Sequence, residues 1–176
     1  PLDGSGGRGV IVLEKNARSN INSLLDFYIE DGGGKYVILQ EFIEGADEGD
    51  VRVLMLNGKA IGAYNRKPAA GEIRANIQTG GTAHKYSLTE SQKRICKKIG
   101  SRLLADGLFF VGLDMIGDKI LEVNVLNPGG ITNINKLDKL KLHKLVVDFL
   151  EEKVDEKTEK RAELEFLLKR LSDLRE

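Results

Sequence analysis

Three groups of residues in this sequence have types and spacings that can do chemistry. The sharpest is Gly112-Leu113-Asp114-Met115-Ile116 followed by Leu121-Glu122-Val123-Asn124-Val125. Alternation along a strand sets Glu122 and Asn124 on one face, two residues apart. A three-residue hairpin loop at Gly117-Asp118-Lys119 sets Asp114 opposite Glu122 on that face. Two carboxylates and an amide oxygen then converge from strands otherwise made of Val, Leu and Ile. Carboxylates this close repel unless a cation lies between them. Hard oxygen ligands suit Mg²⁺, usually shared with the phosphates of a nucleotide. The same alternation also describes the solvent side of an edge hairpin, and the pattern leaves both readings open.

The second group is Gly4-Ser5-Gly6-Gly7-Arg8-Gly9, which satisfies G-x-G-x-x-G. A dinucleotide fold needs a helix after it, but Val10-Ile11-Val12-Leu13 reads as a strand, and no Gly-Lys-Ser/Thr closes a Walker loop. What remains is either a glycine loop folding over phosphates through backbone N–H groups or a plain hairpin turn. The third group is cationic. Asp50 and Arg52 share a strand face, while Arg66, Arg74 and Asn76 flank a loop rich in Gly and Ala that ends in Gly80-Gly81. Arginine's fork suits bidentate contact with carboxylate or phosphate, although a single arginine is more often solvated.

These side chains need a scaffold, and the chain has the size for one: 176 residues, 31% charged and 41% hydrophobic. Lys+Arg 27 balances Asp+Glu 27, which argues against a protein holding nucleic acid through bulk charge. No apolar run approaches the roughly 18–20 residues of a membrane span. One cysteine, Cys96, excludes an internal disulfide framework and suits a reducing cytoplasm. Two histidines and one cysteine cannot build a typical structural zinc site, so any metal is held by oxygen.

The pattern predicts a helix over 19–30, capped by Ser19 or Asn20 and burying Leu24, Leu25 and Tyr28. Strands follow at 36–43, 51–56 and 60–65, the last two joined by the hairpin dipeptide Asn57-Gly58. Thr89 with Gln92 is a capping box opening a helix to about residue 106. Its inner face carries Ile95, Ile99, Leu103 and Leu104, with Cys96 beside them as a buried apolar residue. Phe109–Ile116 and Ile120–Leu126 form a second hairpin, and one helix spans about 133–152. From Glu151 to Glu176, Leu164, Leu167, Leu168, Leu171 and Leu174 recur at three- and four-residue intervals. This amphipathic helix needs a partner surface, either its own core, the commoner case, or another chain.

Taken in order, P-L-D-G-S-G-G-R-G, Q-E-F-I, G-D-V-R-V-L, G-E-I-R-A-N, G-L-F-F-V-G-L-D-M-I-G-D and L-E-V-N-V resemble the ATP-grasp ligases, and most closely the bacterial glutathione synthetase family. The match runs from residue 1 to about 132. The resemblance implies an α+β ATP-grasp fold, a mainly antiparallel sheet with helices on one side. It implies that Gly4, Ser5, Gly6 and Gly7 belong to a mobile loop closing over ATP phosphates. Gln40, Glu41, Phe42 and Ile43 would line adenine, and Asp50 would lie near the ribose or the acceptor. Arg74 and Asn76 would sit around the phosphates and peptide substrate. Asp114, Glu122 and Asn124 would hold two Mg²⁺, with Mn²⁺ an alternative. Arg66 would stabilise charge on an acyl phosphate, and Arg52 would contact a substrate carboxylate. Asn127, Gly129 and Gly130 would line the acceptor site.

The implied chemistry is ATP-dependent activation of a carboxylate, then attack by an amine. Acyl phosphate hydrolyses readily, so a lid that excludes water is expected. The sequence departs from the family in lacking the phosphate-contacting lysines placed before the glycine loop. It therefore reads as the C-terminal part of an ATP-grasp domain (1–150) with an amphipathic helical tail (151–176), its upstream lobe missing and turnover by itself small or nil. Expected partners are small-molecule peptide and amino-acid substrates, with no nucleic acid or membrane, in a cytoplasmic setting. Homo-oligomerisation through the tail is an open possibility. The alternatives are an ATP-grasp ligase with another substrate and a non-catalytic interaction module using the tail.

Overall fold

The computed structural model describes residues 6–14, 18–31, 36–72 and 74–173. Its centre is an antiparallel sheet of β1 (Asp50–Leu56), β2 (Lys59–Lys67), β3 (Thr82–Lys85), β4 (Phe110–Ile116) and β5 (Lys119–Asn124), in spatial order β3-β2-β1-β4-β5. The helices are α1 (Arg18–Asp26), α2 (Glu90–Ala105), α3 (Ile131–Asp138) and α4 (Leu142–Asp173).

Local chemistry accounts for several of these boundaries. Asn57 and Gly58 have φ of 48° and 73°, the left-handed pair that matches hairpin twist. Thr89 Oγ1 accepts from the Gln92 N–H at 3.2 Å, and the Gln92 side chain accepts from the Thr89 N–H at 3.1 Å, completing the predicted capping box. Gln92 is buried and also donates to the Gly117 carbonyl at 2.9 Å, tying the start of α2 to the β4–β5 turn. A Cβ on Gly100 would lie 2.0 Å from the Gly58 carbonyl oxygen, so only glycine lets α2 approach the first hairpin this closely.

Alternation divides the sheet into two unlike faces. Val51, Val53, Met55, Ala63, Val111, Leu113 and Met115 pack with Cys96 and Leu103 of α2 in one apolar core. Burial pushes the Cys96 thiol pKa up, as suits an inert apolar residue. On the opposite face, Leu54, Leu56 and Tyr64 lie against Ile134 of α3 and Leu142, Val146 and Phe149 of α4. Helices thus cover both faces, not one, because the apolar half of this second face also needs a cover.

Other expectations are corrected. Residues 10–13 and 36–43 form no strand, and Val10, Ile38, Leu39 and Phe42 are exposed. Their β-branched composition does not suffice where no ladder partner adjoins them among the described residues. Strand β5 ends at Asn124, leaving Val125 and Leu126 exposed outside it. Helix α1 begins at Arg18, ahead of both proposed caps; Leu24, Leu25 and Tyr28 are only half-buried. Leu104 is 38% exposed beside Gly58, while Leu103 carries the burial.

The single helix expected over 133–152 is two. Lys139 adopts φ 55°, the Leu140 N–H bonds back to the Asn135 carbonyl at 3.2 Å, and the Asn135 side chain accepts from the Leu142 N–H at 2.8 Å. One asparagine thus closes α3 and opens α4. From there α4 runs unbroken through residue 151. Its first turns are held by the core, whereas Leu164, Phe166, Leu167 and Leu168 are exposed, so among the described residues these side chains are not covered by the domain.

Candidate nucleotide and metal site

The other half of the second sheet face carries charge. Cross-strand register sets Asp50 beside Arg66, Arg52 beside Asp114, and Asp114 beside Glu122. The last pairing is the predicted one, reached by another route. The turn has two residues, Gly117-Asp118, and a bulge at Leu121 restores the offset.

Four of these side chains form one buried network of alternating sign. Arg52 grips Asp114 with both prongs, through Nε to Oδ1 and through Nη2 to Oδ2 at 2.8 Å. Arg66 donates through Nε and Nη2 to the two oxygens of Asp50, each at 2.6 Å, and its Nη2 also lies 2.9 Å from Asp114 Oδ2. The Asn124 amide donates to the same Oδ2 at 3.3 Å. Arg52, Arg66 and Asp114 are all buried.

This geometry separates the three carboxyls. Burial works to raise the Asp114 pKa, but the Arg52 hydrogen bond and the two guanidinium charges outweigh it and hold Asp114 below the usual carboxylate range. Asp50 goes the other way: burial prevails over its single close partner, Arg66, and its pKa is raised. Glu122, on the edge strand, is raised by partial desolvation and then by the adjacent Asp114 charge. Against the opposing effect of burial, Asp50 and Asp114 raise the Arg66 pKa further, so it stays cationic.

The loop at residues 127–130 joins this network. Arg52 Nη1 donates to the Gly129 carbonyl at 3.0 Å. Gly130 has φ 126°, and a Cβ there would lie 2.8 Å from the Tyr64 ring and 3.4 Å from Arg52 Cγ. Asn127 turns the chain into this loop, its carbonyl accepting from the Gly129 N–H at 2.8 Å.

A second group gathers around the glycine loop. Gly6 lies against Gln78, and Gly7 against Asn76 and Arg74, where a side chain on either glycine would collide. Arg74 Nη1 donates to the Gly7 carbonyl at 3.1 Å and is itself held by Glu72 through its backbone N–H at 3.1 Å and its Nε at 3.0 Å. The loop and the Arg74–Asn76 segment expected around phosphates therefore do meet. Gly4 and Ser5 lie outside the described residues. Gln40 stands apart from both groups, donating to the Leu121 carbonyl at 3.3 Å on the β5 edge. Glu41 and Phe42 are exposed, and the Ile43 carbonyl accepts from the Ala46 N–H at 3.2 Å.

Sequence reasoning missed Tyr64, Glu72 and Gln78. Tyr64 was legible, since it shares its strand face with Arg66. Glu72 lies two residues from Arg74 inside a quoted motif, whereas nothing local marks Gln78.

The residue types are those a hard dication takes, two carboxylates and an amide on adjacent strands, with the Asp114 oxygens engaged in this structure by Arg52, Arg66 and Asn124. No cluster of three or more His, Cys, Asp or Glu able to hold a metal occurs among the described residues, so Asn124 is needed to make a third ligand.

The model of the prokaryotic glutathione synthetase ATP-grasp domain matches residues 1–139. The glutathione synthetase of Thermosynechococcus vestitus is 41% identical over 150 residues, covering 85% of this chain and 46% of that protein. That of Gloeobacter violaceus is 40% identical over 152 residues, covering 86% and 46%. That of Agrobacterium fabrum is 37% identical over 155 residues, covering 88% and 48%. The chain spans about half the length of the curated relatives it matches. With 139 of its 176 residues matched by the domain model, the chain belongs to the prokaryotic glutathione synthetase ATP-grasp family.

Proposed function

We propose that this chain is the nucleotide- and metal-binding part of a carboxylate–amine ligase that joins γ-glutamylcysteine to glycine through an acyl phosphate. The observation that supports it most is the pairing of Asp114 with Glu122, beside Asn124, at the charged end of the sheet. Two Mg²⁺ held there, or Mn²⁺ in their place, would neutralise charge on the ATP phosphates.

The remaining work falls to the chain's own groups. The γ-phosphoryl group passes to a carboxylate oxygen and ADP leaves. The amine then attacks the carbonyl carbon, forming the amide as phosphate departs and the amine loses its proton. Such transfer needs positioning and charge stabilisation more than covalent help. Arg66, held cationic by Asp50 and Asp114, offers fixed positive charge to the acyl phosphate. Arg52 links Asp114 to the Gly129 carbonyl and so connects the metal-ligand strand to the acceptor loop formed with Asn127 and Gly130. Gly4 to Gly9, backed by Arg74 and Asn76, would close over the phosphates and exclude water, with Glu41 to Ile43 reading adenine. Asp50 would meet the ribose or acceptor.

The proposal extends to a cytoplasmic location, to small-molecule substrates without nucleic acid, and to a homo-oligomer in which the tail helix takes part. No helix among the described residues is long and apolar enough to cross a membrane. The test is a chimera carrying the upstream half of the Thermosynechococcus relative, assayed by phosphate release with γ-glutamylcysteine and a panel of amines. Turnover with glycine is expected. Turnover only with another amine would support a ligase of different specificity, and none from a folded chimera would overturn the reading.

A further inference from the structure

The tail helix carries a seam that the domain does not use. Leu142, Val146 and Phe149 hold α4 to the core, with Lys153 continuing that side over the Phe149 ring. Around the helix, on average about a quarter of a turn away at 100° per residue, lie Val147, Leu150, Val154, Leu164 and Leu168. All five are between 47% and 62% exposed. Their spacing is a heptad frame in which Val147, Val154, Arg161 and Leu168 occupy a, and Leu150, Lys157 and Leu164 occupy d. Val147, Leu150 and Val154 also line an open surface depression with Glu151 and Asp155. The family model ends at residue 139, before α4 begins.

We propose that this seam binds the same seam of a second copy of the chain in parallel register, as a short two-stranded coiled coil. This deepens the self-association named above and does not depend on the ligase chemistry. The charges flanking the seam select the occupant. In the same frame g carries Lys153, Lys160 and Leu167, and e carries Glu151, Thr158 and Glu165. A parallel pair sets each g residue against the e residue five positions on in its partner, so Lys160 meets Glu165 twice across the two-fold axis. An antiparallel pair sets g against g and e against e, bringing Lys160 to Lys160 and Glu151 to Glu165, which repel. The cations at Lys157 and Arg161 face cations in either direction, so the flanking pair Lys160–Glu165 is what favours the parallel one.

Arg161 and Lys157 interrupt the apolar seam, and a polar layer of this kind fixes register at some cost in affinity. Arg161 Nε already donates to Glu165 at 2.9 Å, which draws its guanidinium to the flank of the seam and leaves its stem to pack.

The test is light scattering on the full 176-residue chain over a concentration series, with Mg·ATP binding measured separately. The native chain is expected to dimerise. Leu164→Asp/Leu168→Asp is expected to raise the dimer dissociation constant about 100-fold or more while leaving nucleotide binding unchanged. Leu164→Cys in a Cys96→Ala background is expected to form a disulfide-linked dimer in air, because identical d positions adjoin only in the parallel pair. A chain that stays monomeric at about 100 μM, or a dimer indifferent to Leu164→Asp/Leu168→Asp, would overturn the proposal. Cross-linking that needs Val154→Cys mixed with Leu164→Cys would overturn the parallel register. In each case nucleotide binding tests the ligase reading independently.

Discussion

Leu113 and Asp114 are neighbours in the chain, lie on opposite faces of one strand, and are both almost fully buried. Leu113 belongs to a core against α2 in which every partner is apolar, so burial itself stabilises. Asp114 is buried among two guanidinium groups and an amide, where burial is unfavourable and only the matched charges make it tolerable. The first face is held by apolar packing, while the charged half of the second keeps a set of charges in place at a cost. An all-apolar pair of faces would serve a scaffold; an array of fixed charges at one end is what the proposed ligand site requires.

The comparison breaks most sharply at Asp114. Asp114→Ala leaves Arg52 and Arg66 uncompensated and is expected to destabilise the chain by about 3–5 kcal/mol, read from denaturant midpoints. Leu113→Ala should cost about 2–5 kcal/mol through its cavity. The two differ in what survives: chain still folded with Leu113→Ala should bind Mg·ATP normally, while folded Asp114→Ala should not.

Acid titration sharpens the contrast. The Asp114 pKa is lowered by folding, so its contribution is fully present above the unfolded carboxylate value and is lost as pH falls below about 4. Asp50 and Glu122 are raised by folding, so each instead favours the folded state as pH falls from neutral through its raised value. The expected profile has a gentle gain in stability on mild acidification and a steep loss below about 4. Asp114→Asn, if folded, should flatten the steep limb, and unchanged acid sensitivity would show that Asp114 is not the group responsible.

The smallest stability effect is expected at Glu122. It is exposed, and its charge opposes that of Asp114. Glu122→Gln should therefore be neutral or slightly stabilising, within about 0.5 kcal/mol, while weakening Mg²⁺-dependent nucleotide binding. A residue that harms stability but helps binding is the signature of a site.

Much of this arrangement could be read before the structure. The Asn57-Gly58 hairpin, the capping box at Thr89 and the buried Cys96 follow from local chemistry, which a single sequence displays. The Asp114–Glu122 pairing was legible because both strands of that hairpin are adjacent in sequence. The partnership of Arg52 with Asp114 was not, since it depends on β1 lying beside β4, and strand order is set by tertiary packing. The break at Lys139 was equally hidden. No Gly or Pro marks it, and Leu137, Leu140 and Leu142 continue the apolar pattern across it, while the closing contact comes from Asn135, several residues upstream. The strands expected at 10–13 and 36–43 failed for a related reason: a strand requires a neighbour, which composition cannot show.

The most direct test of the charged end as a nucleotide–metal site is calorimetric titration of ATP into the chain, with and without Mg²⁺. Glu122→Gln/Asn124→Ala serves as the comparison, because it leaves the Arg52–Asp114–Arg66 network intact. Binding that requires Mg²⁺ and weakens at least about tenfold in that variant, with an unchanged melting profile, is the expected result. Equal binding by both proteins, or binding indifferent to Mg²⁺, would contradict the assignment.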